Sequence, residues 1–337
     1  MNWRSQLFIP VLLTGLACIS CTAQQLPYFT GSVDRLDPAL DLIIAPGTRP
    51  EVIAEGFDWS EGPLWLPGLE SLVFSDIPKN IVYRWSQEEG LVPYLEPSGY
   101  TGEVPRGGEL GSNGLLLDPE GHLVLCQHGD RRMARMESDL EHPRAAFTTL
   151  ADRWEGKRFN SPNDAVYRKN GDLYFTDPAY GMEQGYRDPG REMDFTGVFL
   201  LKPDGKVSLL TNRLSAPNGI GLSPDENSLY VANSGGPSGP VWMIYDLAQE
   251  GTLENARIFY DASAASDTLR GGPDGLAVRD DGTVFATGPG GIWIFHSSGT
   301  PLGIIHTGQA TSNCTLDSGG KTLYMTADMY LMRISLL

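Results

Sequence analysis

The chain has 337 residues, enough for one large domain or two ordinary ones. Its 40 glycines and 24 prolines are spread throughout, which suits many turns and few long helices. A formal net charge of -17 repels phosphate backbones, so nucleic acid is excluded as a partner class, while a bound cation is compatible.

The N-terminus has the layout of an export signal: Arg4, the apolar run Leu7–Ala17, then small residues. That run is too short to span a bilayer. Cleavage after Ala23 divides the chain into an export segment (1–23), a polar, proline-containing lead-in (24–50) and a domain over 51–337. Cys18 and Cys21 leave lipoprotein processing open beside soluble export, so the expected location is periplasmic, secreted or lipid-anchored at the envelope. The lead-in is expected to add a strand to the last repeat described below. Cys126 and Cys314 sit in apolar, strand-like contexts and read as buried small hydrophobes, with a disulfide between them left open. No C-x-x-C pair remains beyond the signal to hold zinc.

Six segments then follow one plan: "EGPLWLPGLESLVFSDI" from Glu61, "SNGLLLDPEGHLVLCQHG" from Ser112, "SPNDAVYRKNGDLYFTDP" from Ser161, "APNGIGLSPDENSLYVANS" from Ala216, "GPDGLAVRDDGTVFATG" from Gly272 and "SNCTLDSGGKTLYMTAD" from Ser312. Each opens on an acidic or amide residue, usually followed by Gly. A short alternation, a Gly/Asp turn and a second strand come next, and the second strand ends in Thr, Ser or Ala beside Asp, Asn or Gly. Period-two alternation around such turns predicts hairpins. The openers Glu61, Asn113, Asn163, Asn218, Asp274 and Asn313 are mostly 50 to 56 residues apart. Further strand candidates lie between them, such as "IVYRW" and "VWMIYDL". Four strands per repeat and six repeats predict an all-β fold, a six-bladed β-propeller of four-stranded blades. An open solenoid is the alternative, but the chain lacks distinct polar caps. "GYRDPGREMDFTG" (185–197) interrupts the third repeat and reads as a functional loop over one face.

In a propeller the innermost strands run beside the axis, so their openers converge on one mouth. Proline presets the approach angle, and glycine after the polar residue lets neighbouring backbones come close. Glu61 and Asp274 contribute two carboxylates, and Asn163 and Asn218 contribute amide oxygens. Hard oxygen donors of this kind suit calcium, with magnesium, manganese or zinc behind it. Without a cation, the two converging carboxylates repel and one takes up a proton. Each dipeptide alone is also a common turn signal. The joint Pro-plus-Gly framing favours a ligand role for these four, while Asn113 and Asn313 weigh toward capping, Asn113 remaining a candidate substrate contact.

These motifs, with "EGPLW", "SNGLLLDPEGHLVLCQHGDRR", "SPNDAVYRKNGDLYFTDPAYG", "PNGIGLSPD" and "GGPDGLAVRDDG" in this order, resemble the SMP-30/gluconolactonase family of six-bladed propellers over nearly the whole chain beyond about residue 51. The resemblance implies one divalent cation, most readily calcium, held by Glu61, Asn163, Asn218 and Asp274, with Asn163 a ligand or a substrate contact. It also implies Asp274 as general base in hydrolysis of a small-molecule sugar lactone. No Gly-x-Ser-x-Gly elbow competes for the role of nucleophile, and Gly320-Lys321-Thr322 reads as a turn, not a phosphate loop. His128, Arg106, Glu109, Tyr180 and the 185–197 loop are further candidates for substrate contact. Asp164 reads as orienting a ligand, Asp177 and Asn233 as structural, and His122, His142, His296 and His306 lie outside any site. Two rival readings remain: hydrolysis of another lactone, ester or organophosphate in the same mouth, and a non-catalytic propeller whose calcium only stabilises it.

Overall fold

The second strand of each repeat is a short apolar run, such as "SLVFSD" (Ser71–Asp76) or "LYFTD" (Leu173–Asp177), and every residue in these two strands is buried. A strand covered on both faces needs apolar residues at successive positions, and only a layer on either side supplies that cover. The computed structural model, which describes residues 25–337, shows how: six antiparallel sheets stand around an axis, each flanked by two others. It is an all-β six-bladed propeller, and among the described residues its one α-helix is Ser263–Ser266.

The innermost strands are Ser60–Leu66, Ser112–Leu117, Ala165–Tyr167, Pro217–Leu222, Leu276–Val278 and Asn313–Leu316. Each contacts the next around the ring, and the last contacts the first. The core is divided accordingly into six apolar clusters, one at each interface between blades. Phe159, Phe175 and Phe199 fill the interface between blades two and three, their centroids 5.1 to 5.5 Å apart. Tyr324 of blade six packs with Trp65 and Trp85 of blade one, closing the circle. Cys126 and Cys314 are both buried free thiols, in different clusters.

Blades one to four are four-stranded sheets. Blade six takes its fourth strand from Glu51–Glu55, paired with Tyr330–Ser335, so the start and end of the domain share one sheet. The lead-in adds Tyr28–Phe29 to that sheet and Ser32–Arg35 to the outer edge of blade five. Both additions cover edges that would otherwise present unpaired backbone. The expected export segment 1–23 lies outside the described residues. Among the described residues, no helix is long and apolar enough to cross a membrane.

A hydroxyl near the end of the second strand links blades one, three and five to the next blade. Ser75 Oγ donates to Asn113 O (2.9 Å), Thr176 Oγ1 to Asn218 O (2.8 Å) and Thr287 Oγ1 to Ser312 O (3.0 Å). Ser312 Oγ donates to Ser60 O at 2.6 Å across the closure. The acidic or amide neighbour caps the turn into its own blade: Asp177 accepts from the N–H groups of Asn160 and Ser161, and Asn233 from Ala216 N. The backbones of Asn113 and Asn218, and those just before Asn313 and Glu61, are thus held by the preceding blade.

Thr176→Val deletes one link and leaves the Asn218 carbonyl short of a buried donor. It is expected to lower unfolding stability by about 1 to 3 kcal/mol, read from the urea midpoint. An unchanged midpoint would remove these hydroxyls from the account of blade register.

Candidate functional site

All six openers lie at the start of an inner strand, at the same end of the ring. Glycine allows the tight spacing there. A Cβ on Gly62 would lie 2.1 Å from Asn113 O, and one on Gly219 would lie 2.2 Å from Asp274 O. Backbones that close push the side chains of neighbouring openers into one small mouth.

Glu61 is 2 % exposed and accepts a hydrogen bond from Gly62 N at 2.9 Å. Burial pushes its carboxyl up to about 8, reinforced by the charges of Asp164 and Glu109. Burial likewise raises the Asp274 carboxyl well above its usual range, with the Glu61 charge the largest contribution from any neighbour. Asp274 Oδ1 is buried with no hydrogen-bond partner. Two carboxyls that burial keeps from ionising, one of them also opposed by the other's charge, make a place where positive charge is favoured.

The amides flank this pair. Asn218 Nδ2 donates to Ser234 Oγ at 3.1 Å, which assigns Oδ1 as its acceptor end. Asn163 is buried, its backbone fixed by Thr176 O on one side and Gly114 N on the other. Asn113 Oδ1 is buried and unpartnered. Beneath them, Asp164 accepts from Ala165 N at 2.9 Å, and burial pushes its carboxyl up to about 6. Asn313 accepts from Cys314 N through Oδ1, and its side chain faces Glu61 and Asp164 closely enough to favour their charged forms. Asp164 and Asn313 also line a cavity of about 390 Å³ that continues along the inner strands past Ile220 and Leu276, so they form the floor between mouth and lower tunnel.

The remaining candidates gather on one side. His128 is fully buried, with Nδ1 2.9 Å from Glu109 Oε2 and Nε2 without a partner. Arg106 spends its guanidinium on the carbonyls of Gly129, Glu109 and Gly181, at 3.2, 3.3 and 2.6 Å, and so fixes three segments of the rim. Burial raises the Tyr180 hydroxyl, and the charges of Asp274 and Glu109 add to that shift. Ser234 and Tyr186 lie beside it, and their side chains partly offset that rise.

Ser234, a serine after a strand, carries no motif signal, and Tyr186 is reached from sequence only as part of the 185–197 loop; the fold places Ser234 at Asn218 and Tyr186 at Tyr180. Elsewhere, Asp118, Glu120 and His122 bring their ligand atoms within 4.8 Å of one another. They share the hairpin turn at the opposite end of the second inner strand, where Asp118 caps Glu120 N and His122 N. The turn accounts for that grouping.

A family model described as the SMP-30/Gluconolactonase/LRE-like region matches residues 59–328. A gluconolactonase from Zymomonas mobilis is 38% identical over 314 residues, covering 90% of this chain and 86% of that protein. A solved gluconolactonase from Xanthomonas campestris is 28% identical with a TM-score of 0.79, covering 95% of this chain and 99% of its own. A regucalcin from Agrobacterium tumefaciens shares the fold at 16% identity, with a TM-score of 0.62 over 85% of this chain and 93% of its own.

Because the folded Glu61 carboxyl is raised, the stability it contributes is complete below its ordinary 4.5 and lost as pH rises through about 8. The melting temperature of chelator-treated protein is therefore expected to fall between about pH 5 and pH 9, and Glu61→Gln to flatten that fall. A melting temperature that rises over this window contradicts the converging-carboxylate geometry.

Proposed function

The chain belongs to the SMP-30/gluconolactonase/LRE-like family, and from that premise and the chemistry of its mouth we propose that it is a lactonase opening a sugar lactone of the gluconolactone kind. The observation that carries the reading is Asp274 Oδ1, buried and unpartnered beside a second carboxylate that disfavours its charge. A buried, unmatched acceptor is costly unless something with positive charge or a proton to give arrives there.

The donor set fits one divalent cation, held by Glu61, Asn163, Asn218 and Asp274. Calcium suits these oxygens best, with magnesium, manganese and zinc as alternatives. Such an ion would offset the two carboxylates and polarise the lactone carbonyl as a Lewis acid. The chain's own residues supply the rest. Asp274 takes the proton from a water as it attacks the carbonyl carbon, then gives it to the ring oxygen as the C–O bond breaks, so that this oxygen leaves as the hydroxyl of the hydroxy acid. Gly62 N and Asn313 steady the Glu61 carboxylate meanwhile. Asn113 Oδ1 and His128 Nε2 are buried acceptors without partners, the latter when Nδ1 carries the ring hydrogen and donates it to Glu109, and both suit the hydroxyls of a sugar. Ring opening needs no nucleophilic side chain. Residues 1–23 would direct the enzyme out of the cytoplasm, its surface charge keeping it clear of nucleic acid.

Asp274→Asn keeps the shape and removes the base. It is expected to lower kcat by about a hundredfold to ten-thousandfold, measured as acid release; wild-type rates would take Asp274 out of the chemistry.

A panel of gluconolactone, an unsubstituted δ-lactone and an aryl ester tests the substrate class. Gluconolactone is expected to be hydrolysed fastest, with activity lost on chelation and restored by calcium. An aryl ester turned over faster would favour a general esterase, and full activity in metal-free protein would end the role of the cation.

A further inference from the structure

Beside the mouth lies a recess of about 430 Å³ whose lining includes Tyr180, Tyr186, Ser215, Ser234, Gly235 and Pro237. It shares a wall with the candidate site. Ser234 Oγ accepts from the Asn218 amide, and Tyr180, which lines the recess with Ser234, feels the Asp274 charge. A ring seated against the carboxylates therefore has this space next to it, and the size falls within that of small-molecule sites.

The recess is built on a fixed loop. Tyr180 and Tyr186 meet edge to face, centroids 5.5 Å apart at 82°. Arg191 pins the loop that carries Tyr186: Nη1 donates to Tyr186 O (2.9 Å), Nε to Asn160 Oδ1 (3.1 Å) and Nη2 to Phe195 O (3.1 Å). Its guanidinium lies 5.9 Å from the centre of the Tyr186 ring. Yet Tyr186 remains 39 % exposed, a large aromatic held in place with one side uncovered. An aromatic so fixed, at the edge of a polar mouth, has a surface to offer a ligand.

The lining has no charged side chain, so a phosphate or carboxylate substituent finds no counter-charge there. It combines two aromatic rings, a glycine and proline floor and a rim of hydroxyls. That combination matches a body with apolar faces and hydroxylated edges, which describes a pyranose ring. We propose that this recess is a subsite for a glycosyl substituent, so that the preferred substrate is an aldonolactone carrying a second sugar ring, with Tyr186 the residue that sets the preference. This rests on the lactonase reading above and names the substrate class of the same site.

The test compares kcat/KM for δ-gluconolactone, its glucosylated counterpart cellobionolactone, and an alkyl-substituted δ-lactone, in wild type, Tyr186→Ala and Tyr186→Phe. Wild type is expected to prefer cellobionolactone over gluconolactone by about tenfold, the value of one good aromatic contact. Tyr186→Ala brings that ratio close to one, chiefly through KM, and Tyr186→Phe, which keeps the ring, retains most of it. A wild-type ratio of one or less, a ratio unmoved by Tyr186→Ala, or a larger gain from the alkyl chain overturns the proposal. Calorimetric binding of cellobionate against gluconate gives a reading independent of turnover. Tighter cellobionate binding that Tyr186→Ala abolishes supports the subsite even if no lactone is hydrolysed, an outcome that would sink only the lactonase reading; equal binding of the two acids rejects it.

Discussion

Two carboxylates that cannot move apart govern this molecule. Glu61 and Asp274 start inner strands whose positions are set by ring closure, six apolar interfaces deep. Relaxing their repulsion by moving a strand would open an interface between blades, and the packing there opposes that. The repulsion is met instead by chemistry at the mouth: a proton, a cation, or the donors Gly62 N and Asn313. The site is a consequence of closure, and closure depends on glycines small enough to let Gly62 reach Asn113 and Gly219 reach Asp274.

The same coupling explains why the framework is so heavily cross-linked by single hydroxyls. Thr176, Thr287 and Ser312 each hold the backbone of a neighbouring blade at its opener or one residue before it, so a side chain in one blade fixes where the next blade's inner strand begins. Blade six borrows Glu51–Glu55 from the start of the domain, which ties the last repeat to the first across the closure between Asn313 and Glu61. Stability and site geometry are carried by the same bonds. A change far from the axis that loosens one interface is transmitted to the mouth through these links.

Much of the fold is legible in the chain because a blade repeats local rules. The Pro-Asn-Gly and Pro-Asp-Gly openers, the Gly/Asp turns and the Thr-Asp or Ala-Asn strand ends are all short-range signals, and they mark the six blades and the openers. What stays hidden depends on contacts between segments distant in sequence. The sequence reading places a lead-in strand on the last blade, where Tyr28–Phe29 lies; that Ser32–Arg35 joins blade five has no local mark. Arg106 reads as a candidate for sugar contact, yet its role is set by three carbonyls from separate segments. Asp164 and Asn313 read as second-rank residues, and their place as the tunnel floor appears only when blades three and six face each other. Ser234 and Tyr186 have meaning only beside Asn218 and Tyr180.

The central claim is that the openers, and not the acidic turn at Asp118, gather one divalent cation. Calorimetric titration of calcium into chelator-stripped protein tests it most directly, run on wild type, Glu61→Gln and Asp118→Asn. The account predicts one ion per chain, lost in Glu61→Gln and retained in Asp118→Asn. Binding that survives Glu61→Gln, or that disappears with Asp118→Asn, would contradict it.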